Sequence, residues 1–303
     1  MSKEKTQQTV QTTGHAWDGD LQEFNNPLPS WWLWAFYATV IFAVVYWVLY
    51  PTWPVGNSYT KGVGNDITYT TTDGKEVTSH WNTRSLLMKD LADARAEQAQ
   101  YLEQLKTASY NEIAKDEEKS AFAYSMAKVL FADNCAACHQ AGGNGVIGPY
   151  PNLLDDAWLW GGTYANIEES IKNGRNGNMP GFKGQLSATQ IENVAEYVLS
   201  LSGQEMDMTK AKRGEALFST NCAVCHGQDA KGQIFMGSAN LTDGIWTIAN
   251  VPAAATPEAK KAAVTNLIVN GKSRQMPAWK DRLSDTEIKI LTYYVHDVLG
   301  SGQ

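Results

Sequence analysis

The sequence is poor in the residues that carry most enzyme chemistry. Among 303 residues there are only four cysteines and five histidines. It also lacks a basic excess, because 25 Lys and Arg stand against 32 Asp and Glu, which gives a net charge of −7. Without a basic patch to neutralise phosphates, the composition argues against nucleic-acid binding. No low-complexity tract is present, and the length suits two or three small domains.

All four cysteines lie in two copies of one motif. The copies are Cys135-Ala136-Ala137-Cys138-His139 and Cys222-Ala223-Val224-Cys225-His226. C-x-x-C-H is the pattern of covalent c-type haem attachment, in which two thiols form thioethers to one porphyrin. The following histidine then supplies a neutral imidazole nitrogen to the iron. The sequence therefore predicts two covalently bound haem c groups, with His139 and His226 as iron ligands.

Three other uses of paired cysteines compete with this interpretation. Paired zinc motifs lie roughly 15–20 residues apart, whereas 83 residues separate Cys138 from Cys222. A thioredoxin-like redox motif needs a βαβ context, and no such alternation lies nearby. Structural disulfides are plausible in an oxidising compartment. None of the three explains a histidine directly after both pairs, so haem attachment is favoured.

The only long apolar run is Trp31 to Tyr50, twenty residues without a charge and followed by Pro51. Twenty helical residues span about 30 Å, the hydrocarbon thickness of a bilayer. Tryptophans and tyrosines cluster at both ends, as in the aromatic belts of spanning helices. A cleaved signal peptide has a shorter apolar core, and a buried core helix is rarely apolar on every face. The run predicts one uncleaved transmembrane anchor without an ion path.

Past residue 120 the chain repeats itself. The segments before the two cysteine motifs match at an offset of 87, Asn152-Leu153 with Trp158 matches Asn240-Leu241 with Trp246 at 88, and two Met-Pro turns match at 97. Ser187 and Ser284 are predicted N-caps of the final helix in each copy. A linked pair of homologous domains is the economical interpretation.

Met179 and Met276 occupy the matching Met-Pro turns. A thioether opposite an imidazole is an electron-transfer pairing that raises the reduction potential. Although methionines more often fill gaps in cores, two at equivalent positions predict the sixth iron ligands. Both irons would then lack an open position for substrate, so the chain is expected to pass electrons, and no catalytic residue is assigned.

Taken together, these patterns divide the chain into five parts: a tail (1–30), an anchor helix (31–51), a spacer with a possible hairpin at Asp73-Gly74 and a helix (52–119), and two haem domains (120–204 and 205–303).

An Asn-Pro-Leu-Pro segment entering one membrane helix, followed by two C-x-x-C-H/Met-Pro lobes, resembles the dihaem subunit of cbb3-type cytochrome c oxidases (the CcoP/FixP family). The resemblance covers roughly 80% of the chain. It implies an all-α fold with one transmembrane helix and two tandem class I cytochrome c domains. It also implies a bacterial inner-membrane location, with the tail in the cytoplasm and the haem domains in the periplasm.

The resemblance further implies a set of partners. Electrons would enter from a cytochrome c donor and pass to a monohaem c subunit and then to the haem–copper subunit that reduces oxygen. Family knowledge also suggests that the distal methionines are exchanged, Met276 serving the His139 haem and Met179 the His226 haem. One departure is that the first lobe has Pro151 before Asn152 where the second has Ala239, so the environment of His226 is an open question.

Three other functions remain at this point. A free-standing membrane-anchored dihaem carrier would have the same sequence features. A dihaem peroxidase would need one haem able to open a coordination site. A haem-based sensor would need an output domain, for which the sequence offers no candidate.

Overall fold

The computed structural model describes residues 10–300. The chain divides into two compact units, Met1–Gln98 and Ala99–Gln303. The first contains the apolar helix and three small hairpins, and the second contains both cysteine motifs.

The strands of the first unit form three two-stranded antiparallel hairpins. They are β1 (Thr12–Trp17) with β2 (Leu21–Phe24), β3 (Pro54–Val55) with β4 (Ser58–Tyr59), and β5 (Ile67–Thr70) with β6 (Glu76–Ser79). The hairpin predicted around Asp73-Gly74 is present, with Gly74 at a φ of 80° in the turn. The β1–β2 hairpin was not predicted, since its short polar strands have no clear apolar alternation to mark them.

The apolar run forms one continuous helix, α1 (Ser30–Leu49), which matches the predicted run to within one residue. Its mean hydropathy is 1.9, and none of its residues is buried within the chain. Among the described residues it is the one helix long and apolar enough to cross a bilayer. An apolar helix with no protein cover around its circumference is stable where lipid surrounds it.

The charged stretch after the hairpins is helical but interrupted. It contains α2 (Thr83–Thr107) and α3 (Tyr110–Lys115), and α4 (Glu117–Asn134) begins immediately afterwards. Ser109 forms a capping box with Glu112 at the start of α3, and the Asp116 side chain accepts hydrogen bonds from two backbone N–H groups of α4. Such side chains compete with the backbone and start a new helix where a longer one would otherwise continue.

The second unit contains two copies of one helical plan. After α4 come α5 (Ala136–His139), α6 (Tyr164–Asn173), β7 (Arg175–Met179), α7 (Ala188–Leu201), α8 (Met208–Asn221), α9 (Ala223–His226), α10 (Pro257–Asn270), β8 (Lys272–Met276) and α11 (Asp285–Tyr293), with a 3-10 turn at Ile234–Met236 and a π-helical turn at Tyr294–Leu299. Capping boxes at Ser187 and Ser284 confirm the predicted starts of the last helix in each copy.

The two hydrophobic cores draw on both copies of the repeat. The first core joins α4 and α6 of the first copy to α11 of the second, with Phe131 and Leu291 both buried in it. The second core joins α8 and α10 to α7 of the first copy, with Phe218 and Val194 buried together. The last helices are therefore exchanged between the repeats. The predicted domain boundary between residues 204 and 205 stays a prediction. Each hydrophobic core contains residues from both sides of it.

A two-stranded antiparallel ribbon, β7 with β8, links the copies directly. Arg175 pairs with Met276, Gly177 with Arg274, and Met179 with Lys272. Directly paired residues share one face of a ribbon, and the side chains two residues apart share it too. The two Met-Pro methionines therefore lie on the same face, one near each end of the ribbon.

Candidate functional site

Both cysteine motifs open into one continuous cavity of about 540 Å³. Its lining is mainly apolar, and the walls come from both copies of the repeat. The sequence-predicted site residues that line it are Cys135, Cys138, His139, Met179, Cys222, Cys225, His226 and Met276. The fold thus gathers all eight predicted residues around one space.

Each motif follows the end of a long helix and folds as a single helical turn. In the first copy the His139 backbone N–H donates to the Cys135 carbonyl at 2.9 Å, and in the second His226 donates to Cys222 at the same distance. The turn ends where Gln140 adopts a φ of 67°. One turn places the second cysteine and the histidine close to the first cysteine, which is the spacing that attachment to one porphyrin requires.

A backbone carbonyl fixes the orientation of each imidazole. The Nδ1 of His139 donates to the Pro151 carbonyl at 3.0 Å, and that of His226 donates to the Ala239 carbonyl at 3.0 Å. Because a carbonyl only accepts, Nδ1 carries the proton and Nε2 keeps a free lone pair for a metal. Burial lowers the pKa of both histidines, with the carbonyl hydrogen bond opposing it, so the neutral form is favoured. The missing proline therefore leaves the orientation of His226 unchanged.

The cysteines do not fit the competing uses. All four are free thiols, and the residues from 10 to 300 contain no group of three His, Cys, Asp or Glu side chains able to hold a metal ion. Burial, with a smaller effect of the adjacent thiol, raises the pKa of Cys135 and of Cys222 to about 11. Thiols with such values are protonated at neutral pH. Within the described residues, the lack of a third metal-binding side chain counts against the zinc interpretation, and the unpaired thiols count against the disulfide interpretation.

The methionines lie against the opposite copy of the repeat. Met276 packs on the first core together with Cys135, and Met179 packs on the second core together with Cys222. Each strand of the ribbon carries its methionine across to the other motif.

Two buried indole N–H groups show whether the cavity suits a haem. Trp158 and Trp246 line it at matching positions of the repeat, and the Nε1–H of each is buried without a hydrogen-bond partner from the described residues. A buried donor without an acceptor is costly, which indicates that a bound group supplies one. Haem carries two propionate carboxylates on an apolar ring, so a mainly apolar cavity with two orphaned donors fits it.

Sequence reasoning missed part of the lining. Arg175 and Arg274 project from the ribbon into the cavity, and Trp160 lies beneath Arg175 at 5.0 Å from ring centre to guanidinium carbon. The sequence could mark Trp158 and Trp246, since these two tryptophans occupy matching positions of the repeat. At the repeat offset of 97, Arg175 corresponds to Lys272 and Arg274 to Gly177, so no arginine repeats in the two copies.

Comparison with known proteins decides the family. Residues 9–57 match the model of the N-terminal domain of cytochrome oxidase-cbb3, FixP. Residues 123–198 and 209–295 match the model of cytochrome c oxidase, cbb3-type, subunit III, once for each copy. The chain belongs to the family of subunit III of cbb3-type cytochrome c oxidases. It is thus a membrane-anchored, haem c-binding chain that partners other oxidase subunits, and the all-α prediction with two tandem cytochrome c domains is confirmed.

Full-length relatives of this cbb3 subunit support the assignment. Subunit FixP of the cbb3-type oxidase of Azorhizobium caulinodans is 46% identical over 301 residues, covering 96% of this chain and 94% of the relative. Subunit CcoP of Azospirillum sp. is 40% identical over 307 residues, covering 97% and 96%. Subunit CcoP of Cereibacter sphaeroides is 37% identical over 304 residues, covering 96% and 95%. The similarity therefore includes the anchor and the spacer as well as the haem lobes.

Proposed function

We propose that this cbb3 subunit holds two haem c groups and relays electrons through them from a cytochrome c donor towards the haem–copper subunit of the oxidase. The observation that carries the proposal is the single cavity into which two cysteine pairs, two histidines and two methionines all open. Haem iron with a histidine and a methionine ligand carries one electron at a time at a raised potential. Two such sites sharing one cavity allow transfer within the chain.

The assignment of ligands in this proposal is crossed. Cys135 and Cys138 would attach one haem, with His139 and Met276 as its iron ligands. The packing supports it, because Met276 and Cys135 both lie against the first hydrophobic core.

The second site has the corresponding set. Cys222 and Cys225 would attach its haem, with His226 and Met179 as iron ligands, and Met179 and Cys222 share the second core.

The chain's own residues would do three things at these sites. The carbonyls of Pro151 and Ala239 hold each imidazole in one tautomer with Nε2 free. The indoles of Trp158 and Trp246 offer donors to carboxylates. The apolar lining excludes water, which raises the reduction potential by disfavouring the more highly charged ferric form.

The membrane orientation and partners belong to the same proposal. The family resemblance implies that residues 52–303 would lie in the periplasm and residues 1–30 in the cytoplasm. The anchor would hold the haem lobes beside the monohaem c subunit and the haem–copper subunit of a bacterial inner membrane. Relatives are named as subunits of the cbb3-type oxidase, which supports such a placement.

Gentle detergent capture of this chain from native membranes tests the proposal. The captured sample is typed for haem and copper and assayed for oxygen uptake with a reduced cytochrome c. We expect two haem c per chain, together with haem b, copper and oxygen consumption. The His139→Ala chain serves as the matched control, because it keeps the anchor but should lose electron relay through one site.

Two outcomes would contradict the proposal. If intact preparations contain only c-type haem and consume no oxygen, the free-standing carrier is favoured. If the purified holoprotein binds carbon monoxide or peroxide at one haem, an open coordination site is present and the dihaem peroxidase is favoured.

A further inference from the structure

The centre of the β7–β8 ribbon presents a single cation to the cavity. Arg274 pairs with Gly177, two residues from Met276 along its own strand. Lys272, which pairs with Met179, lies two residues away in the other direction. At about 3.4 Å a residue, Arg274 lies about 7 Å along the ribbon from the level of each methionine. It therefore occupies the midpoint between the two candidate sixth ligands.

The guanidinium is held in place without an acid. Its Nη1 donates to the Thr247 carbonyl at 3.4 Å, and the same carbonyl accepts from the Gly148 backbone N–H at 3.1 Å. Burial lowers the pKa of Arg274, and no neighbouring carboxylate acts to raise it. Asp243 lines the same cavity, but its carboxylate accepts from the Ile245 N–H at 3.0 Å.

An arginine stays protonated in proteins even when it is partly buried. A desolvated cation without a counter-charge is unfavourable. Among residues 10–300, no carboxylate contributes to the pKa shift of Arg274, which burial alone causes. A negative charge that compensates Arg274 would therefore have to come from a group bound in the cavity.

The residue opposite leaves room for this arrangement. Gly177 has no side chain, and a Cβ built on it would meet no atom within 4 Å. Arg175, the other arginine of the ribbon face, differs in two ways. It pairs with Met276 at one end, and its Nε donates to Ser170 Oγ at 2.9 Å. Of the two arginines, only Arg274 lies equally far along the ribbon from Met179 and from Met276.

We infer that Arg274 is a shared electrostatic control residue, whose positive charge raises the reduction potentials of both haem sites together. This inference rests on the proposed function, since it needs two haems with Met179 and Met276 as ligands. A fixed cation disfavours the ferric state, which carries one more positive charge than the ferrous state. At an effective dielectric constant of about 20, two unit charges as much as about 10 Å apart interact strongly enough to change an equilibrium constant at least about tenfold.

Redox titration of the full-length holoprotein in detergent, followed by its haem absorbance, tests the inference. We expect Arg274→Gln to lower the reduction equilibrium constant of both haems about tenfold, which is about 59 mV for a one-electron couple. Arg274→Lys keeps the charge and should leave both potentials close to their original values. Arg175→Gln is the positional control, and it should lower the potential of the haem served by Met276 more than that of the other.

A second pair of variants keeps the test valid if Arg274→Gln fails to take up haem. Gly177→Asp places an anion opposite Arg274, in a position where a side chain has space. It should lower both potentials, whereas the neutral Gly177→Asn, which has the same size, should lower neither.

Haem content and the sulfur-to-iron charge-transfer band are measured on the same samples. If two sulfur-ligated haems are present and neither Arg274→Gln nor Gly177→Asp lowers both potentials, the inference is overturned and the proposed function stands. If the unmodified chain has one haem, or lacks sulfur ligation, the proposed function fails and the inference falls with it.

Discussion

Met276 of the second repeat packs against the same hydrophobic core as Cys135 of the first. The reciprocal relationship holds for Met179 and Cys222 in the other core. The ribbon that carries the methionines and the helices that follow them are exchanged together, so each lobe is completed by the other half of the chain. This exchange has testable consequences that would not be expected of two independent cytochrome domains.

Replacing Met276 with alanine should alter the haem attached at Cys135 and Cys138. Loss of the thioether removes the ligand that raises the potential, and we expect a fall of at least about tenfold in that haem's reduction equilibrium constant, or about 59 mV. A chain in which Cys222 and Cys225 are also changed to serine isolates the affected haem. Redox titration and carbon monoxide binding are the measurements.

Met179→Ala in the same single-haem background is the matched control. It should leave the haem at Cys135 six-coordinate and unreactive towards carbon monoxide. If instead Met179→Ala opens that iron and Met276→Ala does not, the ligands come from the same repeat and the crossed assignment is wrong.

A chain cut after residue 204 should not fold into a stable haem lobe. The first core would lose α11, including the buried Ile288, Ile290 and Leu291. Burying three such side chains contributes about 5–9 kcal/mol, which is comparable with the whole stability of a small domain. Circular dichroism and denaturant unfolding of residues 99–204 measure this, with residues 99–303 as the control. A cooperative unfolding transition in the shorter chain would show that the exchanged helix is dispensable.

The sequence was sufficient for the features that are local. The helix of the anchor follows from the twenty-residue apolar run that begins at Trp31, and the two cysteine motifs follow from residues within one helical turn. The helix exchange could not be deduced in this way. Ile191 and Ile288 occupy matching positions in the repeat and have the same apolar spacing, so the pattern does not say which of them packs on Phe131. The answer depends on the path of the chain between the lobes, which the β7–β8 ribbon sets.

The same limit applies within the site. His139, His226 and both methionines were found because motif and repeat mark them. Arg274 faces Gly177 across the ribbon, and this juxtaposition depends on a strand pairing between residues that are distant in sequence. Short strands such as Arg175–Met179 lack the apolar alternation that would predict them. The exchange of ligands was suggested by family resemblance and not by any residue pattern.

Trp158→Phe should destabilise the haem-loaded chain but not the haem-free one. With haem bound, the indole Nε1–H is expected to donate to a propionate, and a hydrogen bond to a charged group contributes about 1.5–3 kcal/mol. In a chain with all four cysteines changed to serine the donor stays unpaired, so its removal is neutral or slightly stabilising. Urea unfolding of the four chains measures the difference, and Trp246→Phe should repeat it for the other lobe. Equal losses with and without haem would mean that the indole only packs.

Acid should weaken the start of α8 through Asp207. Its carboxylate accepts from the backbone N–H groups of Lys210 at 3.1 Å and Thr209 at 2.9 Å, and these hydrogen bonds, that of Lys210 first, lower its pKa. A carboxyl whose folded pKa lies below its unfolded value of about 3.9 stabilises the fold above that value. The stabilisation is lost as the pH falls through the folded pKa. Asparagine caps a helix almost as well without titrating, so Asp207→Asn should resemble the parent near pH 3 and be the less stable chain near pH 6. The measurement is the free energy of unfolding of both chains as a function of pH. If the two curves are parallel, the charge of Asp207 contributes nothing to stability. If the difference between the two free energies grows between about pH 3 and pH 5, the ionised Asp207 cap is the source of the stabilisation.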